Sequence, residues 1–164
     1  MRITPKIILL ILLSSGWLLT GFTNLSDDNR ILGVWQSADN DLRVEMYARN
    51  GQYHGRLVWF LCESDDPPMA DQLDTENPDP VLRSRPWLGM NIVESLTYRG
   101  HDEWSGGKVY DPNSGHTFEA AVWLTAPNQL SVRGYWKLPL LGRNMAFRRV
   151  GSSAGPTPER IVKK

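Results

Sequence analysis

The sequence contains one cysteine, Cys62, and that scarcity excludes an intramolecular disulfide as well as a thiolate metal cluster. It also has no excess of charge: 18 basic side chains stand against 18 acidic ones in 164 residues, without a run of five like charges. Nucleic-acid binding and polybasic membrane binding both need a long-range field that this chain does not generate, so neither DNA nor RNA is expected as a partner. Only three histidines occur, His54, His101 and His116, and none is spaced from another as a metal pair would be. No Gly-x-Ser-x-Gly elbow is set between a strand and a predicted helix. Ser105, beside Gly106-Gly107, falls within a strand pattern flanked by Trp104, and the letters Gly151-Ser152-Ser153-Ala154-Gly155 fall in the tail. The chain is too short for a two-domain dehydrogenase or kinase, and it shows no repeats and no helix pattern longer than a turn or two. Catalysis is not expected, and no cofactor or metal is implied.

What the chain does contain is turn residues and tryptophan: 14 Gly, 11 Pro and 7 Trp, the profile of an all-β domain. Arg2 and Lys6 precede an uncharged stretch from Ile7 to Thr23, and Asp27-Asp28 follow it. That order of charge and hydropathy is that of a secretory signal peptide, so residues 1–23 are expected to direct export to the periplasm and be removed. The alternative is an uncleaved anchor over residues 7–23 with the domain facing the periplasm, the membrane being touched only through that segment. A lipoprotein signal requires a cysteine directly after the apolar stretch, and Cys62 lies far downstream. The folded domain is expected over residues 24–150.

Asn50-Gly51 is the dipeptide preferred where both turn residues of a hairpin need positive φ. With Arg49 opposite Gln52, the register puts Ala48, Met46, Val44 and Leu42 beside Tyr53, Gly55, Leu57 and Trp59 on one apolar face. Arg43, Glu45, Tyr47, His54, Arg56 and Phe60 fall on the other, with Glu45 opposite Arg56. A second hairpin turns at Asp111 to Gly115 and aligns Val109 with Phe118, Gly107 with Ala120 and Ser105 with Val122. Its other face carries Lys108 opposite Glu119 and Trp104 opposite Trp123. Beyond Pro127-Asn128, Leu130, Val132, Gly134 and Trp136 alternate with Ser131, Arg133 and Tyr135. Shorter β patterns at 32–37, 90–98 and 144–150 bring the total to about eight strands in a meander. Between Cys62 and Pro86 an acidic, proline-rich stretch predicts a long exposed loop whose acids stay solvated, Asp71, Asp74, Glu76 and Asp79 lacking a calcium-loop register. Residues 151–164 read as a flexible tail.

Eight short antiparallel strands with one apolar face either stack as two sheets or close on themselves, and consecutive short turns favour an up-and-down β-barrel. Gly33-Val34-Trp35 on the first strand and Arg148-Arg149 on the last resemble the lipocalin arrangement, in which a tryptophan packs against an arginine of the closing strand. On that resemblance Gly33, Trp35 and Arg149 close the barrel. Further segments follow in order: Trp87-Leu88-Gly89-Met90, Glu103 through Pro112, Val132-Arg133-Gly134-Tyr135, Leu141-Gly142-Arg143 and Arg149-Val150. Together they resemble the exported bacterial domain-of-unknown-function family 2147 over roughly residues 31–150. The resemblance implies a lipocalin-like barrel in an envelope compartment and implies no activity.

An eight-stranded barrel is either packed by its own side chains or just wide enough for one small ligand. Trp35, Tyr53, Trp59, Phe118 and Trp136, with Arg133 and Arg143 as cations for a head group, are the candidate residues for binding a small hydrophobic or amphipathic, lipid-like molecule. Inward-facing Gly55, Gly107 and Gly134 would widen the lumen. The competing expectation is a ligand-free packed barrel that engages an envelope protein partner through an external Trp104 and Trp123 patch.

Overall fold

The computed structural model describes residues 27–135 and 143–151. The N-terminal segment expected to direct export, Trp136 and the residues from 152 onward lie outside the described residues. Eight strands, β1 (Gly33–Ser37), β2 (Leu42–Arg49), β3 (Gln52–Phe60), β4 (Asn91–Gly100), β5 (Glu103–Asp111), β6 (His116–Ala126), β7 (Gln129–Tyr135) and β8 (Arg143–Val150), pair antiparallel in chain order. β8 returns to β1, with Trp35 opposite Arg149, so the sheet is a closed up-and-down barrel with a lipocalin-like order. Closure leaves no unpaired edge, which is how a chain of alternating short strands avoids edge-to-edge association.

Near the tight turns the register is the one the pattern predicts. Asn50 and Gly51 both take positive φ, Arg49 faces Gln52, and Glu45 meets Arg56 in an ion pair of 2.7 Å. Tyr110 to Lys108 face Thr117 to Glu119 as expected. Farther from the turns, bulges reset the faces. On β3 Val44 faces Leu57 but Arg43 faces Trp59, so Val58 is an extra residue and the strand reverses its faces beyond it. Phe60 is therefore buried, whereas Trp59 lies outside under the guanidinium of Arg43, 5.2 Å from its ring. On β5 the extra residue is Gly106, at φ 76°, and Trp104 turns inward to face Val122 while Trp123 pairs with Glu103.

The barrel has two unlike ends. At one, the turns 50–51, 100–103 and 127–128 are covered by a short 3-10 helix, Asp27–Ile31, whose Ile31 is fully buried. Trp104 donates its indole N–H to the Asp28 carbonyl at 3.1 Å, Tyr53 donates to Asn29 Oδ1 at 3.3 Å, and Arg30 pairs with Asp102 at 2.6 Å. Tyr53, Leu96, Tyr98 and Trp104 fill the interior beneath that helix, with Tyr98 and Trp104 rings 5.1 Å apart. At the other end open the β1–β2 turn, the β5–β6 turn and the long β3–β4 connection.

That connection is largely exposed, as its composition predicts, and Asp71, Glu76 and Asp79 lie at the surface, but it is not solvated throughout. Asp74 and Asn77 are buried, and Asp74 accepts from Arg85 at 2.6 Å, from Tyr110 Oη at 2.6 Å and from Asn77 Nδ2 at 2.7 Å. Main-chain bonds from Asp74 N to Arg85 O and from Trp87 N to Gln72 O cinch the loop at its base. The Glu76 carbonyl comes so close to Gly115 that a Cβ there would lie 2.0 Å from it, and Gly115 also has φ 68°. The loop's acids are partly consumed as internal acceptors, which composition cannot reveal.

Candidate functional site

The apolar faces of the strands do not meet in the upper half of the barrel. A cavity of about 500 Å³ remains there, within the range that encloses a small organic ligand. Trp35 and Leu57 line it together with Val44, Val122, Leu130 and Phe147, while Leu61, Trp87, Asp41, Asp111, Arg143 and Met145 border it toward the open end. The question of a packed or a hollow barrel is answered by level: the end under the 3-10 helix is packed, and the end beneath the long loop is hollow.

The floor is rigid because three residues lock one another. Trp35 is buried and donates its N–H to the Ile31 carbonyl at 2.7 Å. The Arg149 guanidinium carbon stands 4.2 Å from the centre of the Trp35 ring, and its nitrogens donate to the carbonyls of Leu32 and Arg30 at 2.5 Å each. Burial, with Arg30 nearby, pulls the Arg149 guanidinium below its ordinary value, yet the cation is held by a π face and two carbonyls. Gly33 lies beside this cluster, where a Cβ would be 2.9 Å from Arg149 Nη1. The closure expected of Gly33, Trp35 and Arg149 is thus present in geometry.

Of the ligand-binding candidates, Trp35, Phe118 and Arg143 do border the cavity. Tyr53 is buried below it in the packed end, and its hydroxyl is pushed up to about 12, mainly by burial and then by the neighbouring Asp28 carboxylate. Trp59 is outside because of the bulge at Val58. Arg133 pairs with Ala121 and Asn144 on the face opposite Val132 and Gly134, so it does not reach the lumen either. Trp136 lies outside the described residues. The external patch of Trp104 and Trp123 does not exist: Trp104 is fully buried, because the Gly106 bulge swings it inside. Of the three glycines, only Gly134 borders the cavity. A Cβ on Gly55 would be 2.8 Å from Met46 Sδ, and one on Gly107 would be 2.3 Å from the Glu94 carbonyl, so neighbouring strands already occupy the space those glycines leave.

Three contributors were not visible in the pattern. Phe60, assigned to the outer face, lines the cavity and packs its ring 5.3 Å from that of Trp87. Trp87, in the long loop, borders the cavity, and its Nε1 is buried with no hydrogen-bond partner among the described residues. Tyr110 borders the cavity while its hydroxyl bonds Asp74, so the loop is anchored directly to the wall. Its hydroxyl is likewise pushed up to about 12, first by burial and then by that bond. A tryptophan beside Gly-Met in the loop was the one sequence signal for the second of these.

A family described as an uncharacterized protein conserved in bacteria, DUF2147, matches residues 33–149. Among solved structures, the chain is similar to protein HP1028 from the human pathogen Helicobacter pylori, described as belonging to the lipocalin family. The TM-score is 0.64 at 23% identity, over 74% of this chain and 83% of that one. At that identity the likeness establishes the barrel fold. No curated protein matches the sequence.

Proposed function

We propose that this chain, which belongs to the DUF2147 family, is an exported carrier that holds one small amphipathic or lipid-like molecule inside its barrel. The observation that carries the reading is the cavity of about 500 Å³, apolar along its walls, closed below by the Trp35 and Arg149 lock and bordered by polar side chains only toward its mouth. A tail is sheltered from water in such a space and a head stays hydrated. The order of charge and hydropathy in residues 1–23 supports the periplasm as its compartment, reached by a cleaved signal or occupied from an uncleaved anchor.

The protein binds without catalysing. In support, His54 stacks on Tyr47 and accepts from Ser95 N, His101 sits in the β4–β5 turn and His116 begins β6 at the opposite end of the barrel. The packed-barrel reading loses its partner surface with the burial of Trp104, and the hollow upper half speaks against it.

Native mass spectrometry of the protein, purified gently from a bacterial envelope, tests the carrier reading. The expected result is an additional non-covalent mass that disappears on denaturation and is absent from a Val132→Trp variant, whose indole would occupy the lumen. A clean apo mass that persists after incubation with envelope lipid extract would overturn it.

A further inference from the structure

Hydrogen-bonding groups around the mouth of the cavity are not balanced. Several of the acceptors are already engaged by the protein's own turns. Asp41 accepts from Ser37 Oγ at 2.5 Å, Asp111 Oδ1 accepts from Asn113 N at 3.1 Å, and Asp111 Oδ2 accepts from Ser114 Oγ at 2.7 Å. The Tyr110 hydroxyl donates to Asp74 and accepts from Asn77 Nδ2 at 3.1 Å. Two of the donors are not. Trp87 Nε1–H is buried without an acceptor, and Arg143 has neither a hydrogen bond nor an ion pair among the described residues. Both side chains border the cavity, and both are donors only, with no lone pair to offer. A buried N–H left without an acceptor costs free energy, so a wall that keeps one is complemented by a group that arrives from outside.

From these two open donors we infer that the cavity takes an amphiphile whose head is anionic and rich in acceptor oxygens, held at the mouth by Arg143 and Trp87. The inference rests on the carrier reading and specifies its ligand class. A carboxylate or phosphate satisfies a guanidinium and an indole N–H together, whereas an ammonium head satisfies neither. The tail follows from β8. Arg143, Met145 and Phe147 share its inner face and stand opposite Gly134, Val132 and Leu130 of β7, and all six border the cavity. From Arg143 to Phe147 this stripe runs about 13 Å along the strand. A head at Arg143 therefore directs a chain of medium length down the stripe toward Trp35.

Three probes with one tail test the assignment by calorimetric titration of the protein: dodecanoate, dodecanol and dodecyltrimethylammonium. Dodecanoate binds most tightly; Arg143→Gln weakens it about tenfold or more, and Trp87→Phe, which keeps the ring on Phe60, weakens it several-fold. Dodecanol, whose neutral hydroxyl makes a weaker contact with the same donors, loses clearly less affinity than dodecanoate on Arg143→Gln, and the circular dichroism spectrum of each variant matches the wild type, which separates loss of the head contact from loss of the fold. Acetate produces no heat, because a free anion lacks the tail. Equal binding of dodecanol and dodecanoate, tighter binding of the trimethylammonium probe, or indifference of dodecanoate to Arg143→Gln would each overturn the anionic head while leaving a binding cavity. If none of the three probes binds, the carrier reading itself fails.

Discussion

Tyr110 and Asp74 are joined by a hydrogen bond of 2.6 Å that ties the wall of the barrel to the loop across its mouth. The two residues are 36 apart in sequence, and Asp74 has no exposed surface. Through the same carboxylate Arg85 and Asn77 are held as well, so one buried side chain organises the long connection. A buried carboxylate needs this many donors, since each unfilled lone pair would add to its desolvation cost.

Replacing Tyr110 by Phe removes one of those donors without altering the shape of the ring. We expect a loss of stability of about 1–2 kcal/mol. Amide hydrogen exchange should quicken selectively over residues 72–87, where the loop is cinched by main-chain bonds. Equal acceleration throughout the barrel would show that the contact is not specific to the loop.

Trp104 and Trp123 should respond oppositely to substitution. Trp104→Ala empties a fully buried site in the packed end and is expected to cost about 3–5 kcal/mol. Trp123→Ser, on the outer face opposite Glu103 and Ser131, should cost under about 1 kcal/mol. Denaturant midpoints of the two variants decide; similar losses would place both rings in the core.

Arg149→Lys keeps the charge but loses the planar fork that reaches two carbonyls while standing 4.2 Å over the Trp35 ring. A drop of about 2 kcal/mol is expected, with a changed indole fluorescence signal from Trp35. Wild-type stability in the lysine variant would reduce the lock to simple charge placement.

The chain has five tyrosines, and the hydroxyls of Tyr53 and Tyr110 are both pushed up to about 12. An unfolded tyrosine ionises near about 10, so between those values the folded state keeps protons that the unfolded state has released. Their contribution is complete below about pH 10 and is lost as the pH rises through about 12. Denaturation midpoints should fall over that alkaline window, and the fall should be smaller in Tyr53→Phe and Tyr110→Phe proteins. An unchanged alkaline slope in both variants would refute the link.

Strand number, chain-order pairing and the pairing nearest each turn were legible in the residues alone, because alternation has a period of two and Asn50-Gly51 or Asp111 to Gly115 leave the backbone few ways to turn. The resemblance of Gly33, Trp35 and Arg149 to a lipocalin closure located the floor of the cavity for a similar reason: these groups are named by their chemistry. The faces of Trp59, Phe60 and Trp104 were decided only in three dimensions. A single extra residue at Val58 or Gly106 reverses everything beyond it, and whether a strand bulges depends on how it must bend and twist against both neighbours as the sheet closes. The same holds for Asp74 and Trp87. Their loop is acidic and proline-rich in any reading, but whether its polar groups face water or the barrel depends on partners such as Tyr110, which only the closed fold brings within hydrogen-bonding distance.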